Sequence, residues 1–149
     1  MPDELTFHMG KFPAVLPTDR VYCRNHMWCQ THEGRQRFGF TSYAVRLMQD
    51  VYFLEWSVDE GEALAGSQKV GYLETSKATS ELFAPVPGKL LAFNQALLAD
   101  PSGINVSNYG DGWLFEMKGD LSATMSAQDY HDYLDKNWEK TQNMVKGHI

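Results

Sequence analysis

Cysteine is scarce in this sequence of 149 residues, which contains only Cys23 and Cys29. Two cysteines are too few for a disulfide framework in a chain long enough to bury a core, so we expect reduced thiols. No apolar run approaches the roughly 20 residues that a membrane-spanning helix needs. The first residues, Met1-Pro2-Asp3-Glu4, have neither the basic nor the apolar region of a secretory signal. These absences argue against a membrane partner and lead us to expect a cytoplasmic protein.

Basic side chains are outnumbered, because 13 lysines and arginines stand against 19 aspartates and glutamates and give a formal net charge of −6. A field of this sign repels the phosphate backbone of nucleic acids and anionic membrane surfaces, so we expect neither as a partner. The apolar fraction of 43% and the aromatic fraction of 13% are ordinary for a globular protein. A chain of this length most simply forms one core.

Short apolar segments separated by glycine and polar turn residues dominate the chain, a pattern that is typical of strands. The predicted strands are a hairpin over 21–40 that turns at Glu33-Gly34-Arg35, and segments 51–56, 70–75, 79–84 and 113–117. The predicted remainder is a short helix over 43–48 after Thr41-Ser42, a helical turn over 94–100, a polar loop over 104–110 and an amphipathic helix over 126–144. The sequence therefore predicts a mainly β sandwich with short peripheral helices and a C-terminal helix.

Lys77 lies between two of the predicted strands, with the small residues Ser76 and Ala78 on either side. By residue type alone it is an ordinary solvated lysine, since lysine is among the most exposed residues. Neither Ser76 nor Lys77 is a preferred hairpin-turn residue, so composition does not fix the type of turn.

The neighbours of this lysine form motifs at a spacing that is typical of one family. Glu74, Lys77 and Ala78 match a Glu-Ser-x-Lys-Ala motif, and Pro85-Val86-Pro87-Gly88 follows at the expected distance. Further matches are Tyr22, His26 and Trp28, Gly39 with Ala44, Asn94, Asn105, and Tyr109-Gly110-Asp111-Gly112-Trp113. Over about 22–133 the chain resembles the H protein of the glycine cleavage system.

The resemblance implies a lipoyl-domain-like β-sandwich, of the barrel-sandwich hybrid or hammerhead kind, with lipoic acid amide-linked to Lys77 at a hairpin tip. It also implies a non-catalytic carrier subunit with no catalytic residues of its own. A lipoate ligase or lipoyl transferase, or a docked partner enzyme, would recognise Glu74, Ser76 and Ala78, although Glu74 is equally well read as a solvated strand residue. Biotin carriers would flank the lysine with methionines, which are absent here, so the lipoyl group is favoured.

On this basis we divide the chain into three parts. Residues 1–20 are an N-terminal extension, and residues 21–122 are the lipoyl-carrier β domain. Residues 123–149 are a C-terminal helix and tail packed on the same domain.

Several positions depart from the family pattern and bear on the pathway. Met27 replaces a usual acid, Thr75-Ser76 replaces Ser-Val, the Cys23/Cys29 pair is unexpected, and 95–101 is less acidic than usual. These departures favour the H-like lipoate-binding proteins of bacterial sulfur oxidation, whose partner would be a heterodisulfide-reductase-like complex. The alternative is a glycine cleavage H protein that carries the aminomethyl group between glycine decarboxylase and aminomethyltransferase, with dihydrolipoamide dehydrogenase restoring the disulfide. A third hypothesis is an unmodified H-fold interaction module in which Lys77 is merely solvated.

Cys23, His26, Cys29 and His32 recur at every third position and resemble a soft-metal ligand set by residue type. In one continuous strand the two cysteines would share one face and the two histidines the other. The two sulfurs would then be roughly 20 Å apart. We therefore expect no metal site. The thiols stay candidates for redox or sulfur-transfer chemistry if they are exposed, whereas buried packing is the commoner role for cysteine.

Overall fold

The computed structural model describes residues 3–147 of the chain. The strands are β1 Glu4–Met9, β2 Phe12–Pro17, β3 Val21–Tyr22, β4 Met27–His32, β5 Arg35–Phe40, β6 Val51–Trp56, β7 Ala63–Leu64, β8 Lys69–Thr75, β9 Thr79–Phe83, β10 Gly88–Phe93 and β11 Phe115–Gly119. The helices are α1 Ser42–Met48, α2 Gln95–Ala99, α3 Gly103–Val106 and α4 Ala127–Gly147. The mainly β architecture with short helices and one C-terminal helix is as predicted.

The strands form three sheets. A six-stranded sheet has the order β3-β4-β5-β11-β10-β7, a three-stranded sheet has the order β6-β8-β9, and β1 pairs with β2 in a separate hairpin. The pairs β6–β8 and β8–β9 are antiparallel, so β8 is the central strand of the three-stranded sheet. This sheet carries Lys77 in the connection between β8 and β9.

Two clusters of buried apolar side chains hold these layers together. The first includes Met27, Cys29, Phe38, Phe40, Leu73, Leu82, Leu90, Leu97, Ile104, Phe115 and Met117. The second includes Phe7, Met9, Leu16, Tyr22, Trp28, Tyr43, Tyr130 and Leu134. Successive side chains of a strand point to opposite faces, and β4 accordingly gives Met27 and Cys29 to the first cluster and Trp28 to the second. The six-stranded sheet therefore contributes side chains to both clusters, one cluster on each of its faces.

Helix α1 forms where the sequence predicts it, for a local reason. Thr41 adopts extended backbone angles and its side chain accepts a hydrogen bond from the Ala44 N–H, which satisfies one of the free donors at the helix start. Asn94 caps α2 in the same way through the Ala96 N–H. The turn between β4 and β5 at Glu33 and Gly34 is also as predicted, and both residues have positive φ.

The structure differs from the predicted elements at four places. The described part of the N-terminal extension is the β1–β2 hairpin, whose Phe7 and Leu16 are buried in the second cluster. Residues 103–106 form α3 inside the segment expected to be a polar loop, and the strand expected at 113–117 is β11, Phe115–Gly119. The segment 21–32 is broken after Tyr22, because His26 has a φ of 68° and the chain folds back.

Helix α4 begins after Ser126, whose hydroxyl accepts a hydrogen bond from the Asp129 N–H at 3.1 Å. Tyr130 and Leu134 are buried on its inner face, as the predicted amphipathic pattern requires. Within the part of the chain that the structure describes, no helix is both long enough and apolar enough to cross a membrane.

Candidate functional site

Lys77 is at the tip of a hairpin. Strands β8 and β9 are antiparallel, with Glu74 opposite Thr79, and the connection between them is Ser76, Lys77 and Ala78. All three connecting residues are exposed. A short connection between paired strands holds its backbone in a defined place, so the Lys77 amine projects from a fixed base.

The buried side chain of Thr75 organises this turn. Its hydroxyl donates to the Ala78 carbonyl oxygen at 3.1 Å and accepts from the N–H groups of Lys77 at 3.1 Å and Ala78 at 3.2 Å. The Thr75 N–H also donates to the Ala78 carbonyl oxygen at 2.9 Å. Sequence reasoning treated Thr75 only as a departure from a motif. The signal that could have identified it is the ability of threonine to replace backbone hydrogen bonds in turns.

A second support comes from the connection between α1 and β6. The Ser76 N–H donates to the Asp50 carbonyl oxygen at 2.9 Å. Asn105 fixes that connection, because its Oδ1 accepts from the Val51 N–H at 2.9 Å and its Nδ2 donates to the Gln49 carbonyl oxygen at 2.8 Å. The turn at 76–78, called here the lysine turn, is thus braced by two distant parts of the chain, the connection at 49–51 and Asn105. Sequence reasoning noted Asn105 only as a motif match and did not single out Asp50.

Glu74 lies on β8, three residues before Lys77. It is half-buried and stands between Phe53 of β6 and Thr79 of β9 in the strand register. Its carboxylate is therefore on the same hairpin as Lys77, and Ser76 and Ala78 flank the lysine with small side chains. The structure brings together the four residues that the sequence singles out around this position.

The two cysteines are arranged differently from the prediction. Because the chain folds back after β3, Val21 pairs with Cys29, and the Cys23 N–H donates to the Met27 carbonyl oxygen at 2.8 Å. The expectation of one continuous strand, with the two sulfurs roughly 20 Å apart, is therefore wrong. Both thiols instead contribute to the first cluster.

Burial governs the chemistry of these thiols. Cys23 is 3% exposed and Cys29 is 1% exposed, and neither forms a disulfide. Burial raises the pKa of Cys23 to about 12, and burial together with the neighbouring Cys23 raises the pKa of Cys29 to about 12. The thiolate is the nucleophilic form, so the folded chain disfavours redox or sulfur-transfer chemistry at either sulfur.

The two histidines do not join the cysteines in one site. His26 Nδ1 is 2.9 Å from the Tyr130 hydroxyl oxygen, and burial lowers the pKa of His26 to about 4. His32 is exposed at the β4–β5 turn, close to Glu33. Among residues 3–147, no three histidine, cysteine, aspartate or glutamate side chains are grouped so that they could hold a metal ion.

Comparison with known proteins shows which family this chain is similar to. Residues 20–137 match the model of the family described as glycine cleavage H-protein. The glycine cleavage system H protein of Methylacidiphilum infernorum is 37% identical over 123 residues, which cover 80% of this chain and 95% of that relative. The proteins of the same name from Psychrobacter cryohalolentis and Listeria monocytogenes are 35% and 33% identical over 124 residues, covering 80% of this chain and 98% of each relative.

A solved structure has the same fold. The crystal structure of a glycine cleavage system H protein from Mycobacterium marinum matches with a TM-score of 0.70 and 30% sequence identity, covering 79% of this chain and 98% of that one. The predicted lipoyl-domain-like fold is therefore confirmed.

Proposed function

The chain belongs to the glycine cleavage H-protein family, and from that premise we propose that Lys77 is the residue to which its lipoyl group is attached. Members of this family are non-catalytic carriers with lipoate bound covalently to a lysine. The observation that carries the proposal is the position of Lys77 at the tip of a hairpin whose backbone is fixed on both sides, by Thr75 and by Asp50.

Other lysines differ from Lys77 in placement. Lys69, Lys89 and Lys118 lie within strands, and Lys69 forms an ion pair with Glu81 at 3.0 Å. Lys11 is exposed at the tip of the β1–β2 hairpin, but it lies outside the residues that match the family. It also lacks the Glu74-to-Ala78 pattern. Lys11 therefore serves as a control, because it is an exposed lysine at a hairpin tip that lacks the motif around Lys77.

This chain supplies a rigid and open platform for the modified lysine. The small side chains of Ser76 and Ala78 leave room for a modifying enzyme, a lipoate ligase or lipoyl transferase, with Glu74 as the carboxylate it recognises. When bound, the lipoyl group supplies a dithiolane that can be reduced and can hold an intermediate. Amide formation removes one positive charge, so the formal net charge changes from −6 to −7. Attachment to a fixed turn raises the effective concentration of the arm at a docked partner.

We place the carrier in the glycine cleavage system, with glycine decarboxylase, aminomethyltransferase and dihydrolipoamide dehydrogenase as partners. The family match and the named relatives support this assignment. The departures in the sequence favour the sulfur-oxidation branch and its heterodisulfide-reductase-like complex, but the named relatives are all glycine cleavage system H proteins. Two of the departures behind that preference have structural roles, since Met27 is 1% exposed in the core and Thr75 holds the lysine turn.

The first experiment maps the modification. The protein is produced with a lipoate ligase and lipoate, and intact and peptide masses are compared for wild type, Lys77→Ala and the control Lys11→Ala. We expect one lipoyl group on wild type and on Lys11→Ala, mapped to Lys77, and none on Lys77→Ala. An unmodified Lys77, with a ligase that modifies a control substrate, would overturn the proposal and favour the unmodified interaction module.

The second experiment decides the pathway. Lipoylated protein is mixed with purified glycine decarboxylase, and exchange of labelled bicarbonate into glycine is followed. We expect exchange with lipoylated wild type and none with Lys77→Ala. A lipoylated protein that supports no exchange would count against the glycine assignment while leaving the carrier role intact.

The cytoplasmic location stays a prediction, to be tested by cell fractionation.

A further inference from the structure

The outer face of the three-stranded sheet displays aromatic rings among carboxylates, next to the lysine turn. We call it the aromatic-acidic face and define it as Tyr52, Phe53, Glu55, Tyr72, Glu74 and Glu81. The strand register places five of its members side by side: Phe53 opposite Glu74, Glu55 opposite Tyr72, and Tyr72 opposite Glu81. Tyr52 has no partner in this register and directly precedes Phe53. None of these side chains belongs to either buried cluster.

A β-bulge increases the aromatic area of this face. The register between β6 and β8 shifts between Val51 and Phe53, so Tyr52 and Phe53 are exposed in succession, at 63% and 38%. The Phe53 and Tyr72 rings lie 5.7 Å apart between centroids. Val51 pairs with Thr75, the residue that organises the lysine turn, so the bulge is at the same end of the sheet as Lys77. Bulges commonly re-aim side chains beside functional sites.

The charge of the face is negative. It carries three carboxylates, of which Glu81 is paired with Lys69 at 3.0 Å. The strand register sets Glu55 opposite Tyr72. Desolvation, followed by the Glu55 carboxylate, raises the pKa of the Tyr72 hydroxyl. Acylation of Lys77 would remove a positive charge from this end of the sheet. The face therefore becomes more negative when the carrier is loaded with lipoate.

We infer that the aromatic-acidic face is the docking surface for a basic, arginine-bearing surface of the enzyme that uses the Lys77 arm, glycine decarboxylase. This inference rests on the proposed function and names where that partner binds. Arginine fits both components of the face, because a guanidinium stacks on aromatic rings and binds carboxylates through two parallel hydrogen bonds. Exposed aromatics with complementary charge at their margin are typical of protein interfaces.

Charge excludes two other occupants. A second copy of this chain would bring the same carboxylates together, and like charges facing each other cost binding energy. Nucleic acid is repelled for the same reason. A partner seated on this face would lie beside Lys77, because Glu74 precedes that lysine by three residues on the same strand.

The test uses lipoylated full-length protein and purified glycine decarboxylase, and measures kcat and KM for the carrier in glycine–bicarbonate exchange. Glu55→Lys reverses a charge on the face, and Glu139→Lys makes the same change at an exposed position on α4. Tyr52→Ser removes the most exposed ring of the face, and Leu98→Ser removes an exposed apolar side chain of α2. Masses of all four variants verify that each carries its lipoyl group, and thermal unfolding verifies that each is folded.

We expect Glu55→Lys to raise KM roughly tenfold at low salt with kcat unchanged, and the difference to shrink as salt screens the charges. Tyr52→Ser should raise KM at all salt concentrations, and both control variants should keep the wild-type KM. Equal KM values for each variant and its control would overturn the inference and leave the carrier role standing. Absence of exchange with lipoylated wild type would instead overturn the glycine assignment, and this inference with it.

Discussion

At the scale of single residues, the presentation of Lys77 depends on one hydroxyl group. Thr75 is 4% exposed, and its Oγ1 contacts the backbone of both Lys77 and Ala78. Thr75→Val keeps the shape of the side chain and removes these hydrogen bonds. We expect the free energy of unfolding to fall by about 1–2 kcal/mol, because two backbone N–H groups lose their protein partner. We also expect lipoylation to slow several-fold, since the turn is no longer held.

The measurements for Thr75→Val are urea unfolding and the initial rate of lipoylation. Thr75→Ser retains the hydroxyl and should lipoylate at close to the wild-type rate. Thr79→Val removes an exposed hydroxyl on the other side of the turn and should change neither quantity. Equal lipoylation rates for Thr75→Val and Thr75→Ser would show that the hydroxyl does not position Lys77.

At the scale of elements, a hydrogen bond joins the β3–β4 turn to helix α4. His26 in that turn contacts the Tyr130 hydroxyl, which is also 3.0 Å from the Thr41 hydroxyl at the start of α1. Burial lowers the pKa of His26 from 6.5 to about 4, so the folded chain holds this ring neutral. Between these two pH values the unfolded chain binds a proton that the folded chain does not. The contribution of the neutral His26 ring to the free energy of unfolding is therefore fully present above pH 6.5 and is lost as pH falls towards 4.

The expected size of this effect is at most about 3 kcal/mol. Urea unfolding at pH 7 and pH 4.5 should show a smaller loss of stability for His26→Asn than for wild type, and asparagine tolerates the positive φ of this position. His32→Asn, which replaces an exposed histidine, should keep the wild-type pH dependence. If His26→Asn and wild type lose the same free energy on acidification, the proton linkage lies elsewhere.

Elements with a strong local signal were predictable from the sequence, and those set by distant contacts were not. Thr41 and Asn94 are preferred capping residues, and α1 and α2 begin where those residues indicate. The break at His26 was missed because a non-glycine residue takes a positive φ there, where its ring packs against Tyr43 and Tyr130. Helix α3 was missed because it has only four residues and its Ser102 makes no side-chain cap.

The same division applies to the candidate site. The position of Lys77 between two paired strands was predictable, because the motif around it is local in sequence and short strand-forming segments flank it. Asp50 was not found, because it contributes a backbone carbonyl oxygen, which any residue possesses. The aromatic-acidic face was not found either, because the bulge that exposes Tyr52 and Phe53 together depends on the register with β8.

At the scale of the whole molecule, we propose that the N-terminal hairpin, the lipoyl β domain and helix α4 unfold as one unit. The argument is that β4 contributes Met27 to one cluster and Trp28 to the other. Opening the second cluster would leave the Trp28 side of the six-stranded sheet exposed to water, at a cost proportional to the apolar area uncovered. The same strands support the first cluster and, through it, the sheet that carries Lys77.

Leu134→Ala tests this proposal, because Leu134 is 1% exposed on α4 and belongs to the second cluster only. We expect a loss of about 3 kcal/mol from the cavity that the substitution leaves. Native-state hydrogen exchange should report the same loss at the slowest amides of β4 and of β8, although β8 lies in the other sheet. Asp135→Ala, at an exposed position of the same helix, should change stability by less than about 0.5 kcal/mol. Unchanged protection of the β8 amides in Leu134→Ala would mean that the three-stranded sheet unfolds independently of α4, because the loss of packing in the second cluster would then not destabilise that sheet.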